Sequence, residues 1–170
     1  LPGQTNANAV VVDPYFIAND GTVLGGAPVY NGASFVNYHA AKWTSPTASF
    51  EILNSGTQRS NASAMNALGD IAGYENIPPG FSRPRLWLAD GSTVSIPILP
   101  SETIGIAQRI TDDGRTLVYV SQSASPYLKA FIRKPDGTRV DIPFIAGTEQ
   151  FTPADMNNLG QAVGVVRQGS

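Results

Sequence analysis

A glycine-centred pattern recurs four times in this chain and limits its fold more than any other feature. An apolar residue is followed by three variable positions, a glycine, a polar residue and then apolar or small residues. The copies occupy 17–25 (Ile-Ala-Asn-Asp-Gly-Thr-Val-Leu-Gly), 65–73 (Met-Asn-Ala-Leu-Gly-Asp-Ile-Ala-Gly), 110–118 (Ile-Thr-Asp-Asp-Gly-Arg-Thr-Leu-Val) and 156–164 (Met-Asn-Asn-Leu-Gly-Gln-Ala-Val-Gly). Their glycines, Gly21, Gly69, Gly114 and Gly160, fall about 46 residues apart.

Two further blocks keep the same phase. Ala41-Lys42-Trp43, Arg85-Leu86-Trp87 and Ala130-Phe131-Ile132 form one; Ile52-Leu53, Ile96-Pro97 and Ile142-Pro143 form the other. In two units they are joined by Asp90-Gly91 and Asp136-Gly137, a dipeptide that predicts a two-residue type I′ hairpin turn. The links at 58–64, 101–109 and 147–155 complete four short extended elements per unit. One small sheet cannot bury both faces alone, so such a unit stacks on its neighbours.

The expectation is therefore an all-β, β-propeller-like array of four-stranded antiparallel blades. The units run approximately 17–64, 65–109 and 110–155, with a partial fourth at 156–170 and an N-terminal strand at 9–16. Trp43, Trp87 and Ile132 are the expected fillers between blades. Pro97 and Pro143 cannot donate to a ladder and suit edge strands. Ala9–Val12 is expected to meet the strand at 161–166, either closing a small ring of about four blades or leaving open edges that invite oligomerisation.

The motif at 156–164, together with the Trp block and the Asp-Gly-Thr or Asp-Gly-Ser turn, resembles the HAF-type extracellular repeats of bacteria. Those read approximately Ile-Asn-x-x-Gly-x-Val-Val-Gly, then Ala-Phe-Leu-Trp. The resemblance runs from about Phe16 to Val165. It implies a propeller-like domain in an exported or cell-surface protein and no enzymatic activity. Val118 in place of the second glycine, Ile132 in place of Trp, and Thr44-Ser45-Pro46 in place of a hairpin Asp-Gly depart from that pattern.

Composition narrows the function classes. Eleven Lys and Arg against 13 Asp and Glu give a net charge of −2, so no long-range field draws in nucleic acid. With no cysteine and one histidine, thiol chemistry and any site needing two imidazoles are excluded. No apolar run reaches the ~18 residues of a membrane span. The start, Leu1-Pro2-Gly3, lacks the features of a signal peptide, and any targeting segment is expected to be already removed. No cofactor or metal site is expected: the Asn-Asp-Gly and Asp-Asp-Gly segments lack the later Glu of a calcium loop and read as turns.

Candidate ligand-binding residues lie in the segments between the first and second blocks, at 26–39, 74–84 and 119–128, which should share one face. They include Tyr30, Phe35, Tyr38, Tyr74, Phe81 and Tyr127. Aromatic residues on loops of a rigid scaffold stack on sugars or anchor proteins. A second set follows the motif glycines, where Asp70 and Arg115 on neighbouring blades would face a central channel and hold a ligand, an ion or each other. Packing of the aromatic residues at the rim, and an ordinary solvated ion pair in the channel, are the plainer structural readings.

The expected function is a non-enzymatic extracellular or cell-surface module binding glycan or protein. A subunit that self-assembles through open blade edges is the first alternative. A small polysaccharide-acting enzyme using Asp70 and Glu75 is the weaker one. His39 reads as a surface or capping residue rather than a catalytic base. Asn61-Ala62-Ser63 fits a glycosylation acceptor in a host able to use it.

Overall fold

The computed structural model describes residues 13–31, 34–44, 50–54, 56–124 and 127–168. Among them there is no helix, and the strands form three sheets. The first sheet is a meander of β1 (Asp13–Ile17), β2 (Val23–Asn31), β3 (Ser34–Trp43) and β4 (Glu51–Ile52). The second repeats it with β5 (Ser60–Met65), β6 (Ile71–Ile77), β7 (Phe81–Trp87) and β8 (Thr93–Ser95).

The third sheet opens the same way, with β9 (Glu102–Ile110), β10 (Thr116–Gln122), β11 (Leu128–Arg133) and β12 (Arg139–Asp141). A final antiparallel pair, β13 (Thr148–Met156) and β14 (Ala162–Gln168), joins it through one parallel residue pair, Leu128 with Gln150. Each sheet thus begins with the strand ahead of a motif glycine, one strand out of phase with the sequence units. β4, β8 and β12 are short and lie at edges; β4 contains Ile52, while Ile96-Pro97 and Ile142-Pro143 fall just beyond the last two. Leu1–Val12, including the strand expected to meet 161–166, lies outside the described residues.

Hydrogen bonds correct the turn expected at Asp90-Gly91 and Asp136-Gly137. The Gly91 N–H donates to the Leu88 carbonyl and the Leu88 N–H to that of Ser92; Lys134, Gly137 and Thr138 repeat the arrangement. The turn therefore centres one residue earlier, and the glycine takes the left-handed third position, with φ of +85° and +89°. This is the three-residue loop closed by a glycine bulge. The four motif glycines share it: the residue three before each glycine donates to the carbonyl of the residue after it and accepts from the glycine N–H.

Polar side chains brace these turns in two ways. Asp20, Asp90 and Asp136, each just before the glycine, accept from the N–H of Thr22, Ser92 and Thr138. In the second and fourth units that position is a leucine. There Asn66 and Asn157, three before the glycine, accept two backbone N–H groups each. The Asp-Gly-Thr and Met-Asn motifs are alternative solutions to one turn.

The second motif glycine answers to a β-bulge. In β1, β5, β9 and β13 the register slips at the residue six before the motif glycine: Tyr15, Ser63, Gln108 and Ala154. The bulge presses the first strand onto the second. A Cβ on Gly25, Gly73 or Gly164 would lie 2.1, 2.0 or 2.4 Å from the carbonyl oxygen of Asp13, Asn61 or Thr152. Val118 stands at this place in the third unit, fully buried and packed toward the second sheet.

The sheets bury their faces against one another. Leu24 and Ala40 of the first meet Ala62, Ile71 and Trp87 of the second. The opposite face of the second, with Ala72 and Leu86, meets Ala107, Val118, Val120 and Phe131 of the third. Leu117 and Ala130 then meet Met156, with Ile132, Phe151 and Ala162 around them. Trp87 and Ile132 fill these layers as expected. Trp43 does not: it shares a face with Val23, turned away from the second sheet, and lies half-buried against Phe50 at 5.8 Å.

Two substitutions test this packing by thermal or urea unfolding. Trp87→Ala should lose about 3–5 kcal/mol through the cavity it leaves. Gly73→Ala should lose about 1–3 kcal/mol, although the residue has an ordinary φ, because the carbonyl of Asn61 blocks any Cβ.

Candidate functional site

The segments read as aromatic loops are largely strand. Within 26–39, the described residues 26–31 and 34–39 belong to β2 and β3, where Tyr30 lies opposite Phe35 and Pro28 opposite Tyr38. Local alternation extends the hairpin well beyond the core, so its aromatic residues are held by a ladder. Tyr30 and Phe35 meet edge to face at 5.9 Å, and Phe35 and Tyr38 are tilted at 5.2 Å. Phe35 is 52% exposed, while both tyrosines are half-buried. The Arg59 guanidinium lies 5.9 Å from the centre of the Tyr38 ring, and Asn37 donates to the Thr57 carbonyl, tying the hairpin to the chain leading into the second sheet.

The other predicted aromatic residues stand apart from this cluster. Phe81 begins β7, with the Arg83 guanidinium 5.3 Å from its ring centre. Tyr74 is half-buried on β6, between Asn61 and Pro84. Tyr127 is exposed just before β11. The structure thus gathers Tyr30, Phe35 and Tyr38 and leaves Tyr74, Phe81 and Tyr127 on the following sheets.

Asp70 and Arg115 are not partners. The Asp70 carboxylate accepts from the Ala89 N–H at 3.0 Å and from Asn66 Nδ2 at 3.2 Å, pinning the glycine turn to the hairpin turn of its own sheet. Arg115 pairs with Asp113 and donates to the carbonyls of Asn158 and Leu159 in the next unit. Hydrogen bonds from Arg115 and Thr111 hold the Asp113 carboxyl far below the usual carboxylate range, and the same carboxylate raises the Arg115 pKa. Sequence alternation gave these residues a direction; the close spacing of the turns gave them other partners.

The turns themselves form a ladder that sequence reading did not find. The Ala67 N–H donates to the Asp112 carboxylate, and the Asp112 N–H donates to Asn158 Oδ1, each bond stepping one repeat along. These positions lie two before each glycine. Asn66 Nδ2 also reaches the Thr111 carbonyl. Beside the ladder is a cleft of about 570 Å³ lined from all four units, with Asn19, Asp20, Leu68, Asp112 and Asn158 on its walls. Asp112 and Asn158 are engaged with each other, so the ladder is first a spacer of repeats.

Between β9 and β13, Arg109 bonds Asp155 at 2.6 Å, and its guanidinium lies 5.9 Å from the ring centre of Phe16 in the first sheet. Burial works to raise the Asp155 pKa, but Arg109 and the Met156 N–H outweigh it and hold it low. Among the described residues the most enclosed ion pair joins Glu102 of β9 to Arg139 of β12. Arg139 donates to both carboxylate oxygens at 2.7 and 2.9 Å, and its guanidinium stacks 4.0 Å from the centre of the Phe131 ring. The Leu99 N–H adds a third bond.

His39 is not at the surface. It is 3% exposed on β3, with Nδ1 3.1 Å from the Asn54 carbonyl. Glu75 is held by Arg85 and by Asn54 Nδ2. Asn61 is buried in β5, which removes it as a glycosylation acceptor in the folded chain. Among the described residues, no cluster of three or more His, Asp or Glu has the spacing to hold a metal ion, and no helix is long and apolar enough to cross a membrane. No protein-family model, curated protein or solved structure matches this chain.

The Glu102 carboxyl supplies a pH test. Burial pushes its pKa up, but the Arg139 hydrogen bonds, the Leu99 N–H and the Arg139 charge bring it below the ordinary value of 4.5. A carboxyl depressed on folding stabilises fully above its unfolded pKa, and that stabilisation is lost as pH falls toward the folded value. The melting temperature should therefore drop on acidification below pH 4.5, more steeply than in Glu102→Gln. At pH 7 Arg139→Met, which strands the buried carboxylate, should cost about 3–5 kcal/mol.

Proposed function

We propose that this chain is a propeller-type extracellular module that binds glycan, without catalysis, at the tip of the β2–β3 hairpin. The observation that carries the reading is the contiguous Tyr30–Phe35–Tyr38 cluster with the Phe35 ring more than half exposed. A sugar presents an apolar C–H face rimmed by hydroxyls. Here the exposed Phe35 ring is in contact with two tyrosine rings, and the Arg59 guanidinium lies over one of them, so apolar ring surface and polar groups occur together.

The propeller reading draws support from the meeting of the first strands of successive sheets. The Arg109 contacts to Asp155 and Phe16 bring β1, β9 and β13 to one place, as expected of a tight ring of few blades. The resemblance to HAF-type repeats supports secretion or surface display. Asp70 and Glu75, the acids an enzyme would need, are engaged in structural bonds, which weighs against the hydrolytic alternative.

Titration of the folded protein with a panel of neutral and acidic oligosaccharides tests the proposal. Phe35→Ser combined with Tyr38→Ser should weaken the best ligand at least about tenfold while melting stays cooperative. Undiminished binding by that variant would remove the hairpin as the site, and binding to protein ligands alone would redirect the reading to a protein partner.

A further inference from the structure

The ladder between the glycine turns has a missing rung. From the second unit to the fourth it runs through the position two before each glycine, Ala67 to Asp112 to Asn158, each backbone N–H donating to a side-chain oxygen one repeat on. The same step from the first unit would carry the Asn19 N–H to residue 67. That residue is alanine and has no side-chain acceptor. The cleft of about 570 Å³ opens beside this gap, with Asn19, Ala67 and Leu68 on its walls and Phe16, Met65 and Ile110 as apolar lining.

The turns show in one place what they accept. Arg115 follows the third motif glycine, and its guanidinium donates to the carbonyls of Asn158 and Leu159, the two residues before Gly160, at 3.3 and 2.8 Å. Asp113 supplies the carboxylate. In the first unit Thr22 stands at the place of Arg115, without a guanidinium. The counterparts of Asn158 and Leu159 in the second turn are Ala67 and Leu68, both lining the cleft, and among the described residues no Arg or Lys bonds their carbonyls.

Charge points the same way. Asp20 and Asp112 line the cleft, and among the described residues no Lys or Arg does. Asp20 accepts from the Thr22 N–H, and Asp112 from the Ala67 N–H and the Asn158 carboxamide, all of them neutral donors. Each carboxylate keeps lone pairs beyond these bonds. The nearby arginines are engaged elsewhere, Arg109 with Asp155 and Arg115 with Asp113.

We propose that this cleft binds an alkylguanidinium group. The planar fork donates to the Ala67 and Leu68 carbonyls as Arg115 does to those of the fourth turn, Asp20 and Asp112 meet the charge, and the alkyl stem lies on Phe16, Met65 and Ile110. A guanidinium presents its donors in one plane, whereas an ammonium presents three around a point, so paired turn carbonyls select the former. The site is at the turn end of β2, and the Tyr30–Phe35–Tyr38 cluster is at the other, so neither depends on the other.

The test is an NMR titration of the full chain with butylguanidinium, butylammonium and the neutral butylurea, each to about 10 mM. Butylguanidinium should give saturable shifts at the amides of Leu68, Gly69 and Asp112 and bind at least about fivefold tighter than either analogue. Asp20→Asn, which keeps an acceptor for the Thr22 N–H, should weaken binding at least about threefold. Ala67→Asn places there the residue type of the fourth unit, supplies the missing rung and should abolish binding while melting no lower than the parent.

Acetyl-arginine amide distinguishes two sources of the group. Tighter binding than butylguanidinium assigns the cleft to an arginine side chain of a protein, and equal or weaker binding to a small guanidinium compound. Equal affinity for butylurea or butylammonium, or no saturable shift at those amides, would overturn the proposal. So would undiminished binding in Asp20→Asn and Ala67→Asn, the first of which reads the charge without touching the ladder.

Discussion

A sheet of four short strands with apolar residues on both faces has no stable solution alone, and everything else in this chain follows from stacking such sheets. Ala72 and Ile71 are adjacent in β6 and point to opposite layers, each fully or nearly fully buried. The side chains that fill the layers are modest, largely Ala, Val and Leu with Trp87 and Phe131 as the large members. Small residues let the sheets approach closely, and the cost of misplacing any one of them rises accordingly.

The close approach also explains why the repeat tolerates so much change. What must be kept is a left-handed residue at the turn and room for a carbonyl at the bulge, while the bracing of the turn admits Asp before the glycine or Asn three before it. The third unit uses Thr111 and Asp113 together and replaces the second glycine with Val118. Sequence identity between units can therefore fall low while the backbone path stays the same.

The period, the turn glycines and the buried Trp87 were legible because each is a local consequence of sequence: spacing, positive φ and one large apolar residue per unit. The bulge was not legible, since Tyr15, Ser63, Gln108 and Ala154 share no chemistry and the slip is imposed by the partner strand. The aromatic segments read as loops in the sequence because their Gly, Pro and Asn content masks an alternation that pairs Tyr30 with Phe35. Asp70 and Arg115 were placed by strand alternation alone, which cannot foresee that turns one repeat apart come close enough for Arg115 to reach Leu159.

On the proposed reading, the two ends of the β2 strand separate stability from recognition. Near the glycine turn Leu24 is sealed between sheets, and substitutions there act on folding. At the other end the ladder continues past the layer it covers, carrying the half-buried Tyr30 and, opposite it on β3, the exposed Phe35. A ring held by cross-strand pairing loses little rotamer freedom on contact with a ligand, so the same hydrogen bonds that order the sheet would also lower the entropic cost of the proposed binding at its tip.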